Sequence, residues 1–234
     1  MRSSRVVRNA LFLASTLAAS TVLSPTASAD DVEVIAYLVL EDTTLTADAE
    51  APFWFLSDDV TLDCQGHAIR AVGARPQADG IQIRGRHNIR IRNCTLIGWQ
   101  TGIRVHDSSG IRVLDSTFDL NGDGVDFNNS SAIEVSGSFF HRHGDDAVDL
   151  DGVTGGFVEG NVMEDSSEDG IVLDQGTRDL IVRFNTVRNN RRGIWVKASA
   201  TANTITDNLL QCNRQIDLLV DGIGNEVRDN NQSC

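Results

Sequence analysis

Lysine is almost absent from this 234-residue chain: Lys197 is the single copy. Basic residues total 20 against 33 acidic ones, a net charge of −13. Such a surface repels phosphate backbones and anionic membranes, because nucleic-acid binding needs clustered Lys and Arg. The composition argues against both partners and favours divalent cations and solubility. Proline is scarce, with 3 copies, and helical periodicity is missing. No CxxC pair occurs among Cys64, Cys94, Cys212 and Cys234, so a four-cysteine metal site is disfavoured. Apart from the amino terminus, no long apolar run exists, which excludes a membrane span in the rest of the chain.

That amino terminus has its own pattern. Arg2, Arg5 and Arg8 precede a short apolar run from Ala10 to Leu23, and Ala27-Ser28-Ala29 forms an A-x-A cleavage site. Residues 1–29 therefore read as a signal peptide and 30–234 as one mature domain, secreted or periplasmic. Cleavage removes three Arg and no acid, leaving 17 basic and 33 acidic residues, a charge of −16. Four cysteines in an exported chain suit disulfides.

What the chain has in abundance is a repeat. Gly80-Ile81-Gln82-Ile83 recurs as Gly102-Ile103-Arg104-Val105, Gly124-Val125-Asp126-Phe127, Ala147-Val148-Asp149-Leu150, Gly170-Ile171-Val172-Leu173, Gly193-Ile194-Trp195-Val196 and Gln215-Ile216-Asp217-Leu218. Successive anchors lie 22, 22, 23, 23, 23 and 22 residues apart. A second apolar column runs Ile91, Val113, Val135, Val158, Val182, Ile205, Val227, and a third runs Leu96, Phe118, Phe140, Met163, Val187, Leu210. A fixed period of this size signals a solenoid. Alternating Val and Ile with Gly and Asn between them give about three short strands and three bends per unit. The expectation is an all-β, right-handed parallel β-helix of seven to eight coils, spaced roughly 4.8 Å apart. Leucine-rich repeats share the period, but L-x-x-L-x-L-x-x-N is absent.

Three details fix the register. Asn161, Asn185, Asn208 and Asn230 share one column below Cys94, Ser116 and Ser138, so they should form a buried amide ladder. Cys212 and Cys234 are one unit apart and should staple the last coil. Cys64 and Cys94 lie on neighbouring coils across the longer loop Ala74–Asp79 and are expected to pair. Upstream, Phe53-Trp54-Phe55-Leu56 reads as the plug of the first coil, with Trp54 in the core and sugar stacking as the alternative.

Acids concentrate in the middle. Thirteen Asp and Glu lie between Asp123 and Asp174, against Arg142 alone. By alternation, one outward column reads Gln82, Arg104, Asp126, Asp149, Val172, Trp195, Asp217. A second reads Arg84, His106, Asn128, Asp151, Asp174, Lys197. The residues before the anchors are Asp79, Thr101, Asp123, Asp146, Asp169 and Arg192. Asp79, Asp123 and Asp169 precede Gly and read as Asp-Gly corners. Asp126, Asp146, Asp149, Asp151 and Asp174 are the candidate catalytic carboxyls: crowding raises pKa values, as a general acid needs. Asp149, Asp151 and Asp174 could equally bind Ca2+. Arg192, Trp195 and Lys197 are the candidate substrate contacts. His141 and His143 could ligate metal, but exposed bend residues are the expected reading.

The run Asp58-Asp59-Val60-Thr61-Leu62-Asp63-Cys64-Gln65-Gly66-His67-Ala68-Ile69, with Ile91-Arg92-Asn93-Cys94-Thr95-Leu96, resembles the coils of bacterial exported right-handed β-helix proteins of the pectate-lyase-like superfamily. The resemblance covers residues 34–234. It implies a polysaccharide or cell-surface glycan partner and either a Ca2+-dependent uronate lyase or a glycoside hydrolase. The family motifs limit this. Gly144-Asp145-Asp146 matches the polygalacturonase Asp-Asp pair, but Gly-His-Gly and Arg-x-Lys are missing. The Asp-Pro-His-Glu of mannuronan epimerases and the Trp-Ile-Asp-His of pectate lyases are missing too. The alternatives are a non-catalytic surface or envelope protein and, behind it, a periplasmic metal-handling factor. A monomer is expected in each case.

Overall fold

The computed structural model describes residues 18–20, 36–73 and 78–234. Nearly all of the expected signal peptide, and most of the loop after Val72, lie outside the described residues. All regular structure among the described residues is β, in 27 strands forming three sheets of ten, nine and eight strands. Apart from the antiparallel pairing of Ala18–Ser20 with Ala36–Val39, every neighbour in a sheet is the parallel copy from an adjacent coil.

The first sheet runs through Ala36–Val39, Phe53–Phe55, Asp79–Arg84, Thr101–His106, Asp123–Asn128, Val148–Asp151, Asp169–Asp174, Arg192–Val196 and Ile216–Val220. The second and third sheets stack the two other apolar columns, in the predicted register from Ile91 to Val227 and from Leu96 to Leu210. The inward residues fill a single core. Phe118 and Phe140 stack within it, with centroids 4.6 Å apart and planes 3° from parallel.

The strand-to-strand corners carry residues in the left-handed region. Asn93, Asp115, Gly137, Gly160, Phe184, Asp207 and Asp229 take this conformation at one corner, coil after coil. The next position along is the predicted ladder. Asn161, Asn185 and Asn208 each accept from the preceding ladder residue's backbone and donate to the next Asn, and Ser116 and Ser138 continue it upward. These buried amides find most of their partners along the stack, so they enforce its spacing. Both predicted disulfides are present, Cys64–Cys94 and Cys212–Cys234, with Cα separations of 4.7 and 4.8 Å that match adjacent coils.

Four expectations are corrected. Ile216 pairs with Arg192, and Leu219, not Asp217, continues the column of Trp195. Asp217 instead caps a second Asn ladder, accepting from Asn213 Nδ2 at 2.7 Å. Asp79, Asp123 and Asp169 begin strands rather than turns. The glycines after them serve close approach: a Cβ on Gly124 would lie 2.4 Å from the Ala147 carbonyl oxygen and 2.5 Å from the Phe140 ring. Trp54 alternates outward between buried Phe53 and Phe55 and pairs in register with Gln82. His143 is not an exposed bend residue; it is 1% exposed.

Candidate functional site

The outer face of the first sheet collects the acids. In-register pairing aligns Gln82, Arg104, Asp126, Asp149, Val172 and Trp195 in one outward column. A second column aligns Arg84, His106, Asn128, Asp151 and Asp174, with Lys197 following through its backbone bond to Leu173. Asp146 stacks beside Asp123 at the strand entrance, where its carboxylate accepts from the Asp169 N–H at 2.7 Å. Five candidate carboxyls are thus brought to one face, but their environments differ.

Asp126 is 5% exposed and clamped. Arg104 reaches it while also contacting Asp79 at 3.0 Å and Thr101 at 2.5 Å, and Asn128 donates to its other oxygen. Burial pushes its pKa up and Arg104 opposes that. Asp174 lies at the other extreme: burial is outweighed by Lys197 Nζ at 2.8 Å, the Gln175 N–H and Ser199 Oγ, which hold it below the usual range. Asp151 accepts from Gln175 Nε2 at 2.5 Å, while burial and the Asp174 charge raise its pKa.

Asp149 stands apart. It is half-buried and, among the described residues, accepts no hydrogen bond and pairs with no cation. Burial pushes its carboxyl up to about 7, helped by the charges of Asp151, Asp126 and Asp123 and opposed by Lys197. Burial likewise pushes Asp146 up to about 8 and Asp123 up to about 6. A carboxyl held near 7 can both give and take a proton at neutral pH.

The predicted substrate contacts adjoin the acids and pair with them as well as with one another. Arg192 binds Asp169, itself 2% exposed, through Nε at 2.6 Å. Its guanidinium lies 3.8 Å from the Trp195 ring centroid, with Lys197 Nζ at 4.7 Å. Trp195 Nε1 donates to Asp221 at 2.8 Å. Sequence reasoning missed Arg104 as the clamp, although its place in the Asp126 column carried the signal. It also missed the outward Trp54 at the far end of that column.

The residues fit Ca2+ poorly at Asp149, Asp151 and Asp174. Lys197, Ser199 and Gln175 occupy both oxygens of Asp174 and one of Asp151, leaving few free for an ion needing six to eight oxygen ligands. Among the described residues, the acids that do converge are Asp123, Asp145 and Asp146, with carboxylate oxygens within 4.8 Å of one another.

A parallel solenoid with a charged sheet face is the class these features define. The family described as "Right handed beta helix region" matches residues 79–232, and the chain belongs to that family. Comparison with curated protein sequences finds no match. Among solved structures, the A-module of the Azotobacter vinelandii mannuronan C-5 epimerase AlgE6 aligns with 13% identity and a TM-score of 0.53, over 83% of this chain and 66% of that one. The enzymatically active domain of tailspike protein 2 from bacteriophage CBA120 aligns with 9% identity and a TM-score of 0.53, over 84% and 38%. A mutant of the periplasmic alginate epimerase AlgG aligns with 17% identity and a TM-score of 0.50, over 78% and 51%. The chain therefore spans between about a third and two thirds of the length of these structures. The likeness is one of fold, a fold shared with polysaccharide-acting enzymes.

Proposed function

We propose that this is an exported, monomeric protein that acts on a polysaccharide along the outer face of the first sheet, with Asp149 as the proton donor. The observation that carries this reading is the unpartnered Asp149 carboxyl, pushed up to about 7 inside an acidic face. A structural carboxylate at that depth ordinarily has a cation or N–H donors, as Asp126, Asp169 and Asp174 do. The nearest ionisable neighbours are Asp126, one coil away at roughly 5 Å, and Asp151, two residues along at about 7 Å. Because Arg104 engages Asp126, Asp151 is the better candidate for the second carboxylate. A spacing of about 7 Å suits hydrolysis with inversion, in which a water sits between acid and base.

Arg192, Trp195 and Lys197 would contact the glycan, at the cost of loosening their mutual stacking. The two disulfides suit an oxidising, exported setting. Among the described residues no helix is long and apolar enough to cross a membrane.

A second reading, glycan binding without chemistry, rests on Trp54 and Trp195 occupying the same outward column. They are six coil spacings apart, about 29 Å, which suits an extended chain stacking at both ends. One panel of polyuronates and neutral glycans separates the readings. Hydrolysis yields new reducing ends, a lyase yields unsaturated products absorbing in the ultraviolet, and a binding module yields retention with neither.

A further inference from the structure

The His-Arg-His stretch lies away from the acidic face, and the structure splits its two histidines. His143 turns inward, into the second ladder column between Asn121 and Ser166. Burial pushes its pKa down to about 4, opposed by a contact with the Asn121 backbone. His141 turns outward on the third sheet, stacked in register between Asp119 on the preceding coil and Glu164 on the next.

The surroundings of His141 are polarised. Arg142 grips Asp119 through both carboxylate oxygens, at 2.8 and 3.0 Å. Asp119 Oδ1 in turn lies 3.2 Å from His141 Nδ1. Phe139 stacks on the ring at 5.7 Å and fixes its plane. The other nitrogen, Nε2, lies 3.5 Å from Asp165 Oδ2. Glu164 closes the third side: one ligand atom each from His141, Glu164 and Asp165 lies within 4.8 Å of the other two.

We propose that His141, Glu164 and Asp165 form a transition-metal site, best suited to Zn2+. Zinc takes imidazole nitrogen and carboxylate oxygen at about 2.0–2.2 Å, which sets the edge of a tetrahedral site at about 3.4 Å. The Nε2–Asp165 separation matches that edge as it stands. Asp119 supplies the carboxylate that orients a metal-bound imidazole from behind. Asp165 also lines a cavity of about 640 Å3 together with Arg142 and His143, which leaves room for a fourth ligand. The competitor is Arg188, which holds Glu164 Oε2 through Nε at 2.6 Å and Nη2 at 2.5 Å.

The test is a calorimetric Zn2+ titration of the chelator-stripped protein. One Zn2+ per chain is expected, with binding lost in His141→Gln and Asp165→Asn and kept in Asp149→Asn. Asp119→Asn should weaken it about 10- to 100-fold. Arg188→Gln should tighten it by freeing Glu164, a change of sign that a purely structural ion pair does not produce. Independently of any variant, Zn2+ should shift the Nε2 resonance of His141 at neutral pH. The alternative is a proton on each ring nitrogen, pairing His141 with both aspartates. No stoichiometric binding, binding that survives His141→Gln, or a protonated Nε2 in the presence of Zn2+ would overturn the proposal.

Discussion

Asp149 lies directly across from Asp126 on the preceding coil, and only Asp126 is held by a cation. Two carboxyls on one column thus have different jobs. Asp126 belongs to an internal ion cluster with Arg104 and Asp79, and Asp149 is left poised between protonated and ionised.

That poise has a stability signature. Asp149 and Asp146 have folded-state pKa values of about 7 and about 8, both raised from 3.8. Between about pH 4 and pH 8 the folded chain therefore binds more protons than the unfolded chain, so stability falls as pH rises through this window. Asp149→Asn removes one of these groups. The variant should be more stable than wild type at pH 8, by about 1 kcal/mol or more, with the difference vanishing only below about pH 4. Thermal melting across the range checks this. A wild-type melting temperature that rises from pH 5 to pH 8 would contradict it.

Arg104 should behave in the opposite way. Arg104→Met strands Asp126 in a buried site with no counter-charge, which costs about 3–5 kcal/mol. The loss should shrink in acid, where protonating Asp126 removes the uncompensated charge. Urea denaturation at pH 8 and pH 4 measures both limbs.

The Asn ladder should be worth most in its middle. Asn185 donates to the Val158 carbonyl at 2.8 Å and to Asn208 Oδ1 at 2.9 Å, while accepting from Asn161. Asn185→Ala leaves several buried groups unsatisfied and should cost about 3 kcal/mol. Asn230→Ala, at the open end where water can substitute, should cost about 1 kcal/mol. Equal losses would mean that the amides do not act as a stack.

Millimolar Ca2+ should leave the melting temperature unchanged. Both oxygens of Asp174 and one of Asp151 are already taken by Gln175, Ser199 and Lys197. A ligand-dependent rise at that concentration would show a site these contacts do not protect.

The fold was legible because its core is periodic. Phe118, Phe140 and Met163 repeat at the coil length, and buried columns cannot drift without emptying the interior. The last coil escaped for the same physical reason. A slip of two residues keeps every side chain on its face, so Ile216 and Leu218 serve equally well as partners of Ile194 by pattern alone. Trp54 escaped because three aromatics with Leu56 look like continuous core, whereas the strand buries only Phe53 and Phe55. The site was half legible. Alternation placed Asp126, Asp149 and Asp151 on one face, but which of them is free depends on where Arg104 and Gln175 reach. Side-chain reach between coils leaves no period in the sequence. His143 and His141 differ only in which side of a corner they fall.

The central claim is that Asp149 donates the proton to a glycan. Glycan turnover by wild type and Asp149→Asn, followed as a function of pH with new reducing ends as the readout, tests it most directly. The account predicts a wild-type rate that falls as pH rises above about 7, where the acid is lost. It also predicts a folded Asp149→Asn variant that binds glycan but turns over at least 100-fold more slowly, the lower end of what proton transfer contributes. Unchanged turnover in Asp149→Asn, or a wild-type rate indifferent to pH through this range, would contradict it.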